Sequence, residues 1–387
     1  MALGISGSNG GFGRQSFSVT AEQVVSPDFY SDKPLEISYF VNNVCNLTCT
    51  HCYVGYEHKR GALSSTEWAG CFDELIALGA RTFGNVGKEP LIDWKLTRTL
   101  LRRFDEMRAT VPGLRFGLVT NATLMDVRKR SELAEIKPDY IDVSIDGDER
   151  VHDAIRGVGT FRKTLDNLSA LPEDVRQRVF ISFTLNRQNA QSLERLIPQL
   201  YGLGIRHFLI SPYVNLQQEG ELYLRDSDLV AIVLRLLSGE LVAFSGLEGA
   251  RFYVKSDFTT TRGFMSSLVA AGAIDTERLL CDEYGAIFNR HDLSNDVTVY
   301  FNYYAQDPSF FNALRISHDG YFSRCVDMFY ADYALRTIGN IRRSSAKQLL
   351  RLPADRLLQP EWQPVKRALL PEQRLSPPAS GVLSQVT

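Results

Sequence analysis

Three cysteines fall within eight positions of the stretch VCNLTCTHCYVGY, residues 44–56: Cys45, Cys49 and Cys52. Three thiolates on one short loop can ligate three irons of a cuboidal iron–sulfur cluster and leave the fourth iron without a protein ligand. A small molecule carrying an amine and a carboxylate could chelate that open corner and be placed for inner-sphere electron transfer. The same thiols could instead hold zinc, with His51 or His58 as the fourth ligand. Structural zinc favours two separated ligand pairs, however, and no second C-x2-C occurs in the chain. His51 also adjoins Cys52 directly, a strained placement for joint ligation of one ion. An iron–sulfur electron carrier is a further alternative, although carriers usually supply four cysteines. Six cysteines with three crowded together do not form a disulfide framework. They point to a reducing compartment, and the expectation is a cytoplasmic protein.

Such a loop needs a rigid scaffold, and the surrounding sequence supplies one. Short β-branched or aromatic runs read as strands at residues 37–42, 81–86, 114–121, 140–146, 179–186 and 207–214. Amphipathic segments lie between them. In SSTEWAGCFDELIALG the positions Trp68, Cys71, Phe72, Leu75 and Ile76 share one helical face, and Ser64 with Glu67 makes a capping box. Cys71 belongs to that apolar stripe and reads as a core residue. Six strand–helix alternations predict an α/β fold, a partial (βα)6 TIM-like barrel with a parallel sheet. Ligands of such sheets gather at the carboxyl ends of the strands, and the cysteine loop follows the first strand at its carboxyl end.

Beyond residue 220 the pattern changes. Helical stretches at 226–238 and about 263–279 alternate with strand-like runs, including a hairpin turning at Asp319-Gly320. The expected organisation is a mobile N-terminal segment (1–34), the barrel (35–220), a smaller α+β extension (221–350), and a C-terminal helix with a disordered tail (351–387). A formal net charge of −2 gives no electrostatic footprint for nucleic acid, and no apolar run is long enough to span a membrane. Neither partner is expected.

C-x3-C-x-aromatic-C after the first strand resembles the radical S-adenosylmethionine (radical SAM) superfamily, with His51 in the aromatic position. The resemblance extends along residues 35–215. GKEP (87–90) matches the family's G-G-E-P, with Lys88 in place of the second glycine, a residue that would permit closer backbone approach. TNATL (120–124) matches T-N-G-T-L, and VSIDG (143–147) with HDAIRG (152–157) matches S-x-D-G and H-D-x-x-R-G. The resemblance implies a 4Fe-4S cluster on the three cysteines. It implies SAM contacts from His51, Gly87, Glu89, Asn121, Ser144, Asp146 and Arg156, and adenine packing on Phe208. Glu89 would meet the SAM ammonium and Arg156 its carboxylate, as charge-assisted contacts. An external one-electron reductant of the flavodoxin or ferredoxin type is a further implied partner. The implied reaction is reductive cleavage of SAM to a 5′-deoxyadenosyl radical, which abstracts hydrogen from a substrate.

ISHDGYFSRC followed by GNI resembles the SPASM or twitch extensions found after many radical SAM domains. Those bind auxiliary clusters through four to seven cysteines, whereas this chain has only Cys281 and Cys325 beyond the barrel. The expectation is a degenerate extension without its cluster, and therefore a redox-neutral outcome such as epimerisation or rearrangement. Cys325, with Cys281 in reserve, is the candidate to return a hydrogen atom to a substrate radical. About 35 residues precede the first strand. They do not read as a peptide-recognition domain, so the expected substrate is a small polar metabolite: a sugar, nucleoside or amino-acid derivative. A peptide-modifying, maturase-type activity is the alternative.

Overall fold

The computed structural model describes residues 15–26, 29, 33–52, 61–213, 220–256, 264–303, 313–323 and 339–350. Six parallel strands pair in sequence order: β2 (Leu35–Tyr39), β3 (Ala80–Asn85), β4 (Arg115–Thr120), β5 (Tyr140–Ser144), β6 (Val179–Leu185) and β7 (His207–Pro212). Every residue of β5 and β6 is buried, as expected for strands covered on both faces. With helices between consecutive strands, the six make the α/β, partial TIM-like barrel.

Side-chain alternation divides the core in two. One face of the sheet packs against the helices through Phe83, Phe116, Ile141, Ile181 and Phe208, which meet Trp68, Phe72 and Phe104. The helix Ser65–Ala77 brings Trp68 and Phe72 there, and Ser64 and Glu67 cap it reciprocally. Phe72 lies 4.9 Å from the Tyr39 ring and 5.2 Å from the Phe83 ring. The inner face carries a separate cluster of Val86, Val119, Tyr140, Phe180, Leu209 and Tyr253.

The sheet continues beyond both ends of the barrel strands. β8 (Arg251–Ser256) adds parallel to β7, and β11 (Thr298–Tyr303) adds parallel to β8. At the other edge β12 (Ala313–Ile316) pairs parallel with β2 and antiparallel with β13 (Tyr321–Ser323). Gly320 supports the expected hairpin turn with φ +90°. The residues expected as an appended α+β region therefore extend the barrel sheet.

Two expectations need correction. Residues 16–25 do not lie in a mobile segment. β1 (Ser16–Val19) pairs antiparallel with β9 (Leu279–Asp282), and Thr20 and Gln23 form a capping box on the helix Ala21–Val25. The helix expected to reach about 279 spans only Phe264–Ala270, and Gly272 turns the chain out of it with φ +72°. Cys325, His58 and residues 351–387 lie outside the described residues. Among the described residues no helix is long and apolar enough to cross a membrane.

Gly117 marks a point where strand and ring meet too closely for a side chain. A Cβ there would stand 2.5 Å from the Tyr140 carbonyl oxygen and 2.7 Å from the Tyr140 ring. Gly117→Ala should therefore cost about 1–3 kcal/mol, read as a lowered urea midpoint at unchanged m value.

Candidate cofactor site

The loops after β2 to β5 surround a small cavity. Cys45, Cys49, His51, Cys52, Lys88, Asn121, Ser144 and Arg156 are among the residues that line it. Seven of the residues expected from the sequence are thus brought together: the three cysteines, His51, Asn121, Ser144 and Arg156.

The cysteine loop is tied down at several points. Thr50 N–H donates to the Ile155 carbonyl at 2.9 Å, anchoring the loop to the helix Glu149–Arg156, and Cys52 N–H donates to the Cys49 carbonyl at 3.1 Å. Polar hydrogens also reach the sulfurs. Cys45 Sγ accepts from Leu47 N–H at 3.4 Å and from Asn121 Nδ2 at 3.9 Å. Arg156 Nη1 stands 4.0 Å from Cys49 Sγ. Such donors stabilise sulfur bearing negative charge. Burial nevertheless pushes the Cys45 thiol up to about 11 and raises Cys49. A bound metal centre is the agent that deprotonates thiols in such a setting.

Asp146 organises the charged side of the cavity from behind. It is fully buried, and its Oδ1 accepts Thr184 N–H at 2.7 Å. Its Oδ2 accepts Arg156 Nε and lies 3.3 Å from His51 Nε2. Burial would raise the Asp146 carboxyl, but Arg156 and then His51 outweigh it and hold the group below the usual carboxylate range. His51 is lowered to about 3, chiefly by burial, with Asp146 opposing too weakly. The His51–Asp146 contact therefore sets a neutral imidazole beside the carboxylate rather than making an ion pair. Two polar atoms of this group, Arg156 Nη2 and His51 Nδ1, are buried and have no partner among the described residues.

Glu89 holds the next two loops together. Oε1 accepts from Leu91 N–H at 2.9 Å and from the Thr120 hydroxyl at 2.8 Å, and Oε2 accepts Asn121 N–H at 2.8 Å. Its backbone is engaged as well, N–H to the Val44 carbonyl at 3.0 Å and carbonyl to Asn42 Nδ2 at 3.0 Å. Glu89 and Asp146 do not line the cavity; each carboxylate is spent on the loops that do. Gly87 also lies off the cavity, and a Cβ on it would meet Asn42 O at 3.3 Å, so the close approach there is to the protein's own backbone. Phe208 is misplaced by one residue of strand alternation. It stacks on Phe252 at 5.3 Å within the helix-side core and does not reach the cavity. Its inner-face counterparts are Leu209, Ser211 and Tyr213, which the same alternation could have indicated. Burial and then the charge of Cys52 raise the Tyr213 phenol. Cys281 is buried on β9 with its thiol 3.1 Å from the Asp282 carbonyl, and it does not line the cavity.

The donor set suits a 4Fe-4S cluster with SAM. Among the described residues no three His, Cys, Asp or Glu groups converge on a single metal ion. Cys45, Cys49 and Cys52 all line the one cavity, the number of thiols that holds such a cluster with one iron left without a protein ligand. The unpartnered Arg156 Nη2 is a donor suited to a carboxylate.

Residues 39–199 match the radical SAM superfamily. The chain is 30% identical over 183 residues to the Fe-coproporphyrin III synthase of Methanosarcina barkeri, covering 45% of this chain and 42% of that one. It is 29% identical over 191 residues to mycofactocin maturase MftC of Mycobacterium tuberculosis, covering 47% of this chain and 46% of that one. The chain thus matches under half the length of these relatives. Streptococcus suis SuiB bound to S-adenosylmethionine shares the fold, with a TM-score of 0.60 at 14% identity over 87% of this chain and 68% of that one. Residues 39–199 thus carry the likeness to a superfamily that uses a 4Fe-4S cluster and SAM.

The buried imidazoles make a prediction about acid stability. Burial lowers His51 and His207 to about 3 and His152 to about 4. The unfolded chain binds protons at these positions near pH 6.5 and the folded chain does not, so stability is full above that pH and falls below it. Each histidine should contribute up to about 1.4 kcal/mol of loss per pH unit between about pH 6.5 and 4, measured as urea midpoints at stepped pH.

Proposed function

We propose that the cavity holds a 4Fe-4S cluster on Cys45, Cys49 and Cys52 and binds SAM, and that the chain uses them to abstract hydrogen from a substrate. The observation that carries this is Arg156 Nη2, a buried donor without a partner, in a cavity bounded by all three cysteines. When bound, the cluster supplies the electron that splits SAM to methionine and a 5′-deoxyadenosyl radical. The chain's own residues orient and shield. Arg156, held at Nε by Asp146, offers its free edge to the SAM carboxylate. Asn121 and Leu47 steady Cys45. Ser144 offers a hydroxyl at the cavity wall. The cavity's burial excludes water from the reacting centre.

The substrate reading is a small polar metabolite, with a redox-neutral outcome such as epimerisation. Similarity to the Fe-coproporphyrin III synthase favours a small-molecule substrate. A peptide is the second reading, supported by similarity to relatives named as maturases, MftC and the sporulation killing factor maturation protein SkfB. A flavodoxin- or ferredoxin-type reductant completes the proposal.

Anaerobic reconstitution followed by dithionite and SAM should yield an iron–sulfide chain that forms 5′-deoxyadenosine. Cys49→Ala should abolish it. Arg156→Lys should keep iron loading and raise the apparent KM for SAM about tenfold or more, because lysine cannot serve Asp146 and a carboxylate together. Zinc in place of iron, or a cluster that never cleaves SAM, would overturn the proposal.

A further inference from the structure

One buried acid takes no part in holding the loops. Asp142 precedes Ser144 by two residues on the same face of β5, so it lies about 6–7 Å deeper along the strand than a cavity-lining residue. It is fully buried. Its Oδ2 accepts the Ser182 hydroxyl at 2.8 Å, and its Oδ1 has no partner among the described residues. Other unpartnered hydroxyls lie on this inner face: Thr82 on β3, Tyr140 on β5 and Ser211 on β7. Register aligns Ser144 with Ser182, and Thr184 with Ser211. The Tyr140 ring over Gly117 closes the floor, and Phe180, His207 and Tyr253 continue it as packed rings. A helix-side strand position would hold an aliphatic residue here. A buried polar atom left without a partner costs about 1–3 kcal/mol, so a run of them on one face is costly unless it serves binding.

The charges around Asp142 define what it can accept. Burial pushes its carboxyl up to about 7, against the Ser182 hydroxyl and the positive charges of Lys255 and Arg156. At neutral pH the group thus sits at the edge of ionisation, and a bound donor would favour the carboxylate. A ligand end made of hydroxyls or an ammonium satisfies Oδ1 and the neighbouring oxygens; a carboxylate or phosphate end would repel them.

We propose that Asp142 and Ser182 form a substrate subsite beneath the cavity, which receives a hydroxyl or ammonium of the substrate and presents an adjacent C–H upward. This rests on the reading of the cavity as the SAM site and names the chemistry of the substrate end that enters it.

The test uses the cluster-loaded chain and two thiol probes of opposite charge, aminoethyl and sulfonatoethyl methanethiosulfonate. Ser182→Cys places a thiol beside Asp142, and labelling is followed by peptide mass spectrometry. We expect labelling in the folded chain. The ratio of ammonium to sulfonate labelling rates should fall about tenfold when Asp142→Asn is added to Ser182→Cys. Thiols that label only in urea would show a closed core, and a ratio indifferent to Asp142→Asn would show that the acid selects nothing; either overturns the subsite. 5′-Deoxyadenosine formation by the unsubstituted chain is scored separately. Its failure sinks the reading of the cavity, whereas the labelling ratio alone decides the subsite.

Discussion

The buried carboxylate of Asp146 is the constraint from which the site follows. It joins the tip of β6, through Thr184, to the cysteine loop, through His51, and to the end of the helix Glu149–Arg156, through Arg156. An isolated guanidinium would not remain in so buried a place, and an isolated carboxylate would take up a proton. Together they are stable enough to fix the guanidinium plane. Arg156 then directs one nitrogen toward Cys49 and leaves another buried without a partner among the described residues. The pair contributes orientation more than stability, since burying two charges costs about what their attraction returns. Glu89 plays the matching part on the other side, where it spends both oxygens on Leu91, Thr120 and Asn121.

A parallel sheet covered on both faces makes this possible. The helix-side face is filled by aromatic and aliphatic packing around Phe72 and Phe104, so the strands are rigid. Rigidity allows the inner face to carry polar groups that a marginal core could not tolerate. Ser144, Asp142 and Ser182 sit on strands whose alternate residues are Ile141, Val143 and Ile181. The same period of two that packs the outside therefore lays out the inside.

Much of this was legible in the sequence. The barrel strands, the capping box of Ser64 and Glu67, and the gathering of the three cysteines with Asn121, Ser144 and Arg156 all follow from periodicity, spacing and family resemblance. What escaped was which neighbour each polar group faces. Glu89 and Asp146 read as ligand contacts because an acid after a strand looks available, yet both are satisfied by backbone and side-chain donors from distant segments. Phe208 read as a ring for adenine because aromatic character is visible in a sequence and strand parity near a strand end is not. β1 escaped because its pattern is exposed, and its partner β9 lies more than 250 residues away. Short-range signals cannot show pairing at that separation.

The central claim is that the cysteine cavity holds a cluster with one iron open to SAM. The most direct measurement is the electron paramagnetic resonance spectrum of the dithionite-reduced, reconstituted chain with and without SAM. The account predicts a reduced 4Fe-4S signal whose g values shift when SAM is added, and no such shift for Arg156→Ala at the same SAM concentration. A cluster signal that SAM leaves unchanged in the unsubstituted chain would contradict it.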